Sequence, residues 1–109
     1  MADPASPPEP IVRDAPERGR YELRVDGELA GILEYRDIGT RRALLHTEVL
    51  PAFEGRGLGA RLARHALDDA RARGARVTAK CPFVRSWLER HPEYADIVVN
   101  MPARGASRG

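Results

Sequence analysis

Residues 46–74 read HTEVLPAFEGRGLGARLARHALDDARARG and place Gly55, Gly57 and Gly59 at alternate positions just before a long run rich in alanine and arginine. From Leu58 onward the apolar residues Leu62, Ala63, Ala66, Leu67 and Ala70 recur at helical spacing, and Gly74 supplies a left-handed residue to close the helix. The glycines therefore gather where a helix begins. A helix start leaves backbone N–H groups unpaired and carries the positive end of the macrodipole, so it attracts an anion. A backbone without Cβ atoms can curl those amides around a phosphate. The stretch reads as a phosphate-binding loop, against the plainer alternative of a tight turn.

Upstream, Tyr21, Leu23 and Val25 alternate with polar residues and run into Asp26-Gly27, a pair that tolerates the positive φ of a hairpin turn. This predicts a strand pair. A third strand, roughly Arg42 to Leu50, follows the loop around Gly39 and stops at Pro51, which has no N–H to give a ladder. Downstream, ARVTAKC predicts a short strand bounded by Pro82, FVRSWLER a short helix, and ADIVV a final strand. The expected class is α/β (α+β): a mixed sheet that opens as an antiparallel β-meander and continues as a β-α-β-α-β right-handed crossover unit. Residues 1–19, rich in proline and without a periodic apolar face, read as a disordered or extended tail, and 101–109 as a second flexible tail, leaving 20–100 as the domain.

Composition limits what the domain can do. A chain of 109 residues supports a single core. No run approaches the ~20 apolar residues of a membrane span, and the first ten residues lack the order of a secretory signal, so a cytoplasmic location is expected and no membrane partner. Cys81 is the only cysteine, which rules out an intrachain disulfide, and His46, His65 and His91 have no metal-ligand spacing, so no metal is expected. The net charge of +2 is modest and the arginines are scattered among acids, which argues against nucleic acid.

Two phosphate loops can be set aside. A P-loop needs Lys-Ser or Lys-Thr after its last glycine, and Gly59 is followed by Ala60-Arg61. The dinucleotide fingerprint is formally present as Gly55-x-Gly57-x-x-Ala60, but RVTAKC stands where the acidic ribose ligand belongs.

VLPAFEGRGLGARLARHAL resembles the acyl-CoA-binding segment of the GNAT acetyltransferase superfamily, whose pattern is Arg or Gln, any two residues, Gly, any residue, then Gly or Ala. The run from Glu54 to Gly59 matches at Gly57 and Gly59 and departs at Glu54, where the superfamily has Arg or Gln. HTEV, the glycine loop, LDDARARG and CPFVRSWLERHPEY together resemble the small single-domain GNAT-like branch, over approximately residues 20–99. The resemblance implies that the strand before the loop and the strand after the helix splay apart. It also implies that the pantetheine arm of acetyl-CoA pairs with free backbone of the first strand, here His46 to Leu50. By that likeness Val49, Leu50, Gly55, Arg56, Gly57, Leu58, Gly59, Ala60 and Arg61 bind the cosubstrate. Arg56, Arg61 and Arg64 are placed to pair with its phosphates.

Acetyl transfer to an amine needs an amine held near the thioester carbonyl, a base for its proton, and relief of charge on the oxyanion and departing thiolate. His46 carries an imidazole, the side chain most used as a base, and Glu48 lies two residues on along the same strand face, so either is a candidate base, against the alternatives of a satisfied strand histidine and a solvated or salt-bridged carboxylate. Cys81 ends the strand across the splay, where the resemblance places the acetyl group. Its thiol is a candidate to protonate the leaving thiolate or accept acetyl transiently, against the alternative of a buried, inert cysteine. Phe83, Trp87 and Leu88 read as core, with Trp87 also a candidate lining of the cofactor groove. The expected activity is acetyl-CoA-dependent N-acetyl transfer to a small-molecule or protein amine, by a monomer or weak dimer. The alternative is a non-catalytic CoA-binding module serving as sensor or partner.

Overall fold

The computed structural model describes residues 9–99. Five strands, β1 (Ile11–Ala15), β2 (Arg20–Val25), β3 (Glu28–Ile38), β4 (Arg41–Val49) and β5 (Arg76–Ala79), form one sheet in sequence order. The first four are antiparallel and β5 runs parallel to β4. Helix α1 (Leu58–Arg73) makes the crossover between β4 and β5, and α2 (Pro82–Glu89) follows β5. Short 3-10 turns lie at Pro16–Arg18, Pro51–Phe53 and Pro92–Tyr94.

The turns follow from their residues. Asp26 and Gly27 carry φ of 54° and 80°, the paired positive values that let a two-residue hairpin follow the twist of its strands. Gly74, with φ 71°, ends α1 by donating its N–H back into the last turn.

Both helices pack on the same face of the sheet. Tyr21, Leu23 and Val25 of β2, Leu33 of β3 and Leu44 of β4 share a buried cluster with Leu62, Ala63, Ala66, Leu67 and Ala70 of α1 and with Val84, Trp87 and Leu88 of α2. Alternation turns the intervening residues to the opposite, outer face, where Ala43 and Thr78 are also buried.

Two expectations need correction. Residues 11–15 do not trail as a tail: they form β1, whose Ile11 to Ala15 pair with Arg24 to Arg20. The strand alternates exposed and half-buried residues at the sheet edge, and its flanking prolines sit just outside it, where they cost no ladder bond. The ADIVV segment forms no full strand; it contributes a single parallel bridge from Val98 to Val77. The tail reading of 101–109 and of the first eight residues lies outside the described residues.

Candidate functional site

The site is built where β4 and β5 part. Their ladder runs from Arg41↔Arg76 to Leu44↔Ala79 and ends when the N–H groups of Lys80 and Cys81 both donate to the Leu44 carbonyl, at 2.8 and 3.0 Å. Beyond that point β4 continues to Val49 against β3 alone. The register with β3 slips at the same place: Glu34 faces His46 while Tyr35 faces Leu44, which leaves Leu45 as a bulge. Leu50 donates its N–H to Ala30 on β3. Since backbone groups alternate sides along a strand, Thr47 and Val49 present theirs to the opposite, open edge. Such an edge accepts an extended ligand by backbone pairing.

At the end of that edge, the chain makes a short turn at Pro51–Phe53 and enters the glycine loop. Gly55 and Gly57 adopt φ of 82° and 72°, and a Cβ added at either would meet nothing within 4 Å. The loop needs glycine there for conformation. Gly59 differs: a Cβ on it would stand 3.0 Å from Cζ of Phe83, so its bareness seats an aromatic ring of α2. No side chain caps the start of α1, and the first bond of that helix is from Arg61 N–H to Gly57 C=O. The amides of the first turn are thus left to a ligand or water.

An open groove of about 260 Å³ joins these parts, lined by Val49 on the strand, by Gly55, Gly57 and Gly59 among the loop residues, and by Phe83, Trp87 and Arg90 on and after α2. Of the residues predicted to bind cofactor, Leu58 and Ala60 also line it. Leu50, Arg56 and Arg61 do not: Leu50 is half-buried beside it, the guanidinium of Arg56 lies 5.3 Å from the Phe53 ring, and Arg61 is exposed. Phe83 and Arg90 were missed by the sequence reading. Phe83 and Trp87 stand one helical turn apart, a spacing that gives no means of telling a groove wall from core, and Arg90 carries no signal.

Cys81 sits at the fork, as the residue preceding α2, and is 3% exposed. Its Sγ lies 3.4 Å from Oγ1 of Thr47 on the facing strand, so the two side chains meet across the splay on the helix-covered side. His46 and Glu48 project to the outer face, each with a half-exposed side chain, and pair with each other at 3.3 Å between Nε2 and Oε1. The structure therefore unites the two candidate bases with each other and sets Cys81 on the opposite side of β4.

Arg64 is engaged away from the loop. It lies over the Trp87 ring at 5.3 Å and donates to the Tyr94 hydroxyl at 3.1 Å. Tyr94 in turn donates to Asp68, and burial pushes its hydroxyl pKa up from the ordinary value, with the Asp68 bond adding to the rise. This packing makes Tyr94 a strut between α1 and the segment after α2.

A mixed sheet whose two parallel strands part beside a glycine-started helix defines an acyltransferase-type fold of the GNAT kind. Residues 20–97 match the family model described as GCN5-related N-acetyl-transferase, and the chain belongs to that family. It is 41% identical over 64 residues to streptothricin acetyltransferase of Streptomyces lavendulae, covering 57% of this chain and 34% of that protein, so it spans about a third of that relative's length. It is 28% identical over 97 residues to mouse protein NATD1, covering 81% of this chain and 88% of that one. The solution structure of a GCN5-like protein from Staphylococcus aureus superposes with a TM-score of 0.65 at 18% identity, covering 89% and 95% of the two chains. Among the described residues no helix is long and apolar enough to cross a membrane.

Proposed function

We propose that this protein is an acetyl-CoA-dependent N-acetyltransferase acting on an amine. The observation that carries the reading is the unpaired edge of β4 beyond Leu44, continuous with an uncapped helix start. Thr47 and Val49 would pair with the pantetheine arm, and the amides from Gly57 to Ala60 would take the pyrophosphate. Phe83 and Trp87 would wall the groove. The acetyl group then lies at the fork near Cys81.

The acceptor amine approaches from the outer face, where His46 and Glu48 stand. The amine nitrogen bonds to the acetyl carbon, its proton passes to the His46–Glu48 pair, and the C–S bond breaks to release CoA. Cys81 is the nearest thiol to the departing sulfur and serves as the proton donor. The reading is tested by free-thiol release from acetyl-CoA across a library of amines. Release that depends on an amine and falls at least tenfold in His46→Ala/Glu48→Gln supports it. CoA binding without any amine-dependent release would leave the binding-module reading, which the burial of Cys81 favours. Cys81→Ala with full turnover would remove the thiol from the chemistry and leave His46 and Glu48.

A further inference from the structure

On the outer face of the sheet, beside the fork, a groove of about 300 Å³ is lined by Ile38, Arg41, Ala43, Thr78, Lys80 and Arg85. Arg41, Lys80 and Arg85 are exposed, and among the described residues no acid pairs with any of them. Three cations around one groove repel each other unless an anion joins them. Thr78 lies beneath the groove, 6% exposed, with a buried Oγ1 that has no hydrogen-bond partner. A carboxylate or phosphate in this groove would accept from the guanidinium and ammonium groups together.

The place matters as much as the charge. Lys80 donates its N–H to Leu44 at the last rung before β4 and β5 part, so the groove abuts the fork where acetyl is delivered. Farther along the same face the sign reverses: Glu34 lies across from His46 in the β3–β4 register, and Glu48 is paired with His46. Ala43 and His46 are three positions apart, about 10 Å along a strand. A molecule with an ammonium at one end and an oxyanion at the other fits this polarity in one orientation only.

We propose that the Arg41–Lys80–Arg85 groove holds the anionic group of the acceptor, which is therefore an amine bearing a carboxylate or phosphate about 10 Å or less from its nitrogen. This rests on the acetyltransferase reading for its choice of occupant. The three exposed cations select the acceptor, while Glu34 and Glu48 draw its ammonium end toward the base.

Calorimetric titration of the full chain, with and without saturating CoA, tests the proposal with three amines of similar reach: Nα-acetyl-lysine, its methylamide, which keeps the ammonium but lacks the carboxylate, and 5-aminopentyl phosphate. An anionic amine should bind at least tenfold tighter than the methylamide, and whichever anion binds better identifies the group the acceptor carries. Lys80→Gln/Arg85→Gln should erase that advantage and leave CoA affinity unchanged. Equal binding of all three amines by protein that binds CoA would overturn the proposal. So would an advantage that survives in the double variant, or a loss of CoA affinity there, which would give the groove to the cosubstrate. Failure of CoA itself to bind would sink the acetyltransferase reading, and the titrations without CoA would still decide whether the groove takes an anion.

Discussion

At Gly57 the backbone holds φ 72° with open space around the missing Cβ, so any side chain there is opposed by conformation and not by crowding. A β-branched residue resists the left-handed region most, at a cost of about 1–3 kcal/mol. Gly57→Val should therefore lower the melting temperature by about 5–15 °C in a domain of this size. It should also abolish the thermal shift given by CoA, because the loop reaches the helix start only through that conformation. A variant that melts lower but keeps the full CoA shift would show that the loop is a turn and nothing more. Gly59 answers to a different constraint, the Phe83 ring 3.0 Å from its would-be Cβ, although in the sequence it looks like the third member of one set.

At the level of elements, β1 to β4 and α1 are tied by a polar network at the end of α1 away from the glycine loop. Arg42, 5% exposed, donates to both carboxylate oxygens of Asp37 at 2.7 and 2.9 Å and to the Tyr21 hydroxyl at 2.8 Å, and lies 3.8 Å over the Tyr35 ring. Tyr21 passes the chain on to Asp69 of α1, and Tyr35 to Asp14 of β1. Burial first, then the Asp14 bond, pushes the Tyr35 hydroxyl up to about 12, so it stays a donor at any working pH. Arg42→Met keeps the apolar stem but strands the acids, and should cost about 3 kcal/mol, the low end for a broken buried pair because Asp37 is half open to water. Denaturant unfolding would measure it, and a loss under about 0.5 kcal/mol would mean that water replaces the guanidinium.

On the outer face, Glu22 of β2 accepts from Arg20 at 2.9 Å, Arg18 at 3.0 Å and Arg24 at 3.2 Å, which hold its carboxyl at about 2 against an ordinary 4.5, the Arg20 bond being the largest cause and burial opposing. A carboxyl depressed in the folded state adds stability above its unfolded pKa and loses it as pH falls through the folded one. The gap in melting temperature between the protein and Glu22→Gln should therefore be full at pH 5 and close between about pH 4.5 and 2. A gap that does not change over that window would contradict the depressed carboxyl.

These elements also mark how far the sequence could be read. The β2–β3 hairpin, β4, α1 and α2 were legible because their apolar periods are clean and each is punctuated by Asp-Gly, Pro or Gly at the boundary. β1 was not, since an edge strand with one half-buried face has little pattern and its prolines read as breakers. The Leu45 bulge left no mark, and that bulge turns Thr47 and Val49 to the open edge and His46 and Glu48 to the outer face. The network around Arg42 and the cationic groove join residues distant in the chain, so no spacing foretells them.

For the whole molecule, the consequence of strands that part beside the helix start is that a ligand in the fork touches several elements at once. The groove draws its walls from β4, the loop, the start of α1 and α2, while the ladder between β4 and β5 is only four pairs long. Among the described residues, the side-chain contact across the lower fork is that of Cys81 and Thr47 at 3.4 Å. Without a ligand the fork should be the least protected part of the sheet, because its backbone groups lack partners and its walls belong to different elements. A ligand that pairs with β4 and seats its phosphates on α1 closes those openings and stabilises the fold by mass action. At a hundredfold excess over Kd this amounts to about 2.7 kcal/mol, or roughly 10–20 °C in melting temperature for a domain of this size. Hydrogen exchange followed by NMR then gives the location. On adding CoA, the amides of Thr47 and Val49 and those from Gly57 to Ala60 should slow at least tenfold, whereas those of β1 and β2, already paired in the ladder, should slow only with global stability. Slowing confined to the loop would mean that the phosphates are held there while the arm lies elsewhere, and the open edge of β4 would lose its role.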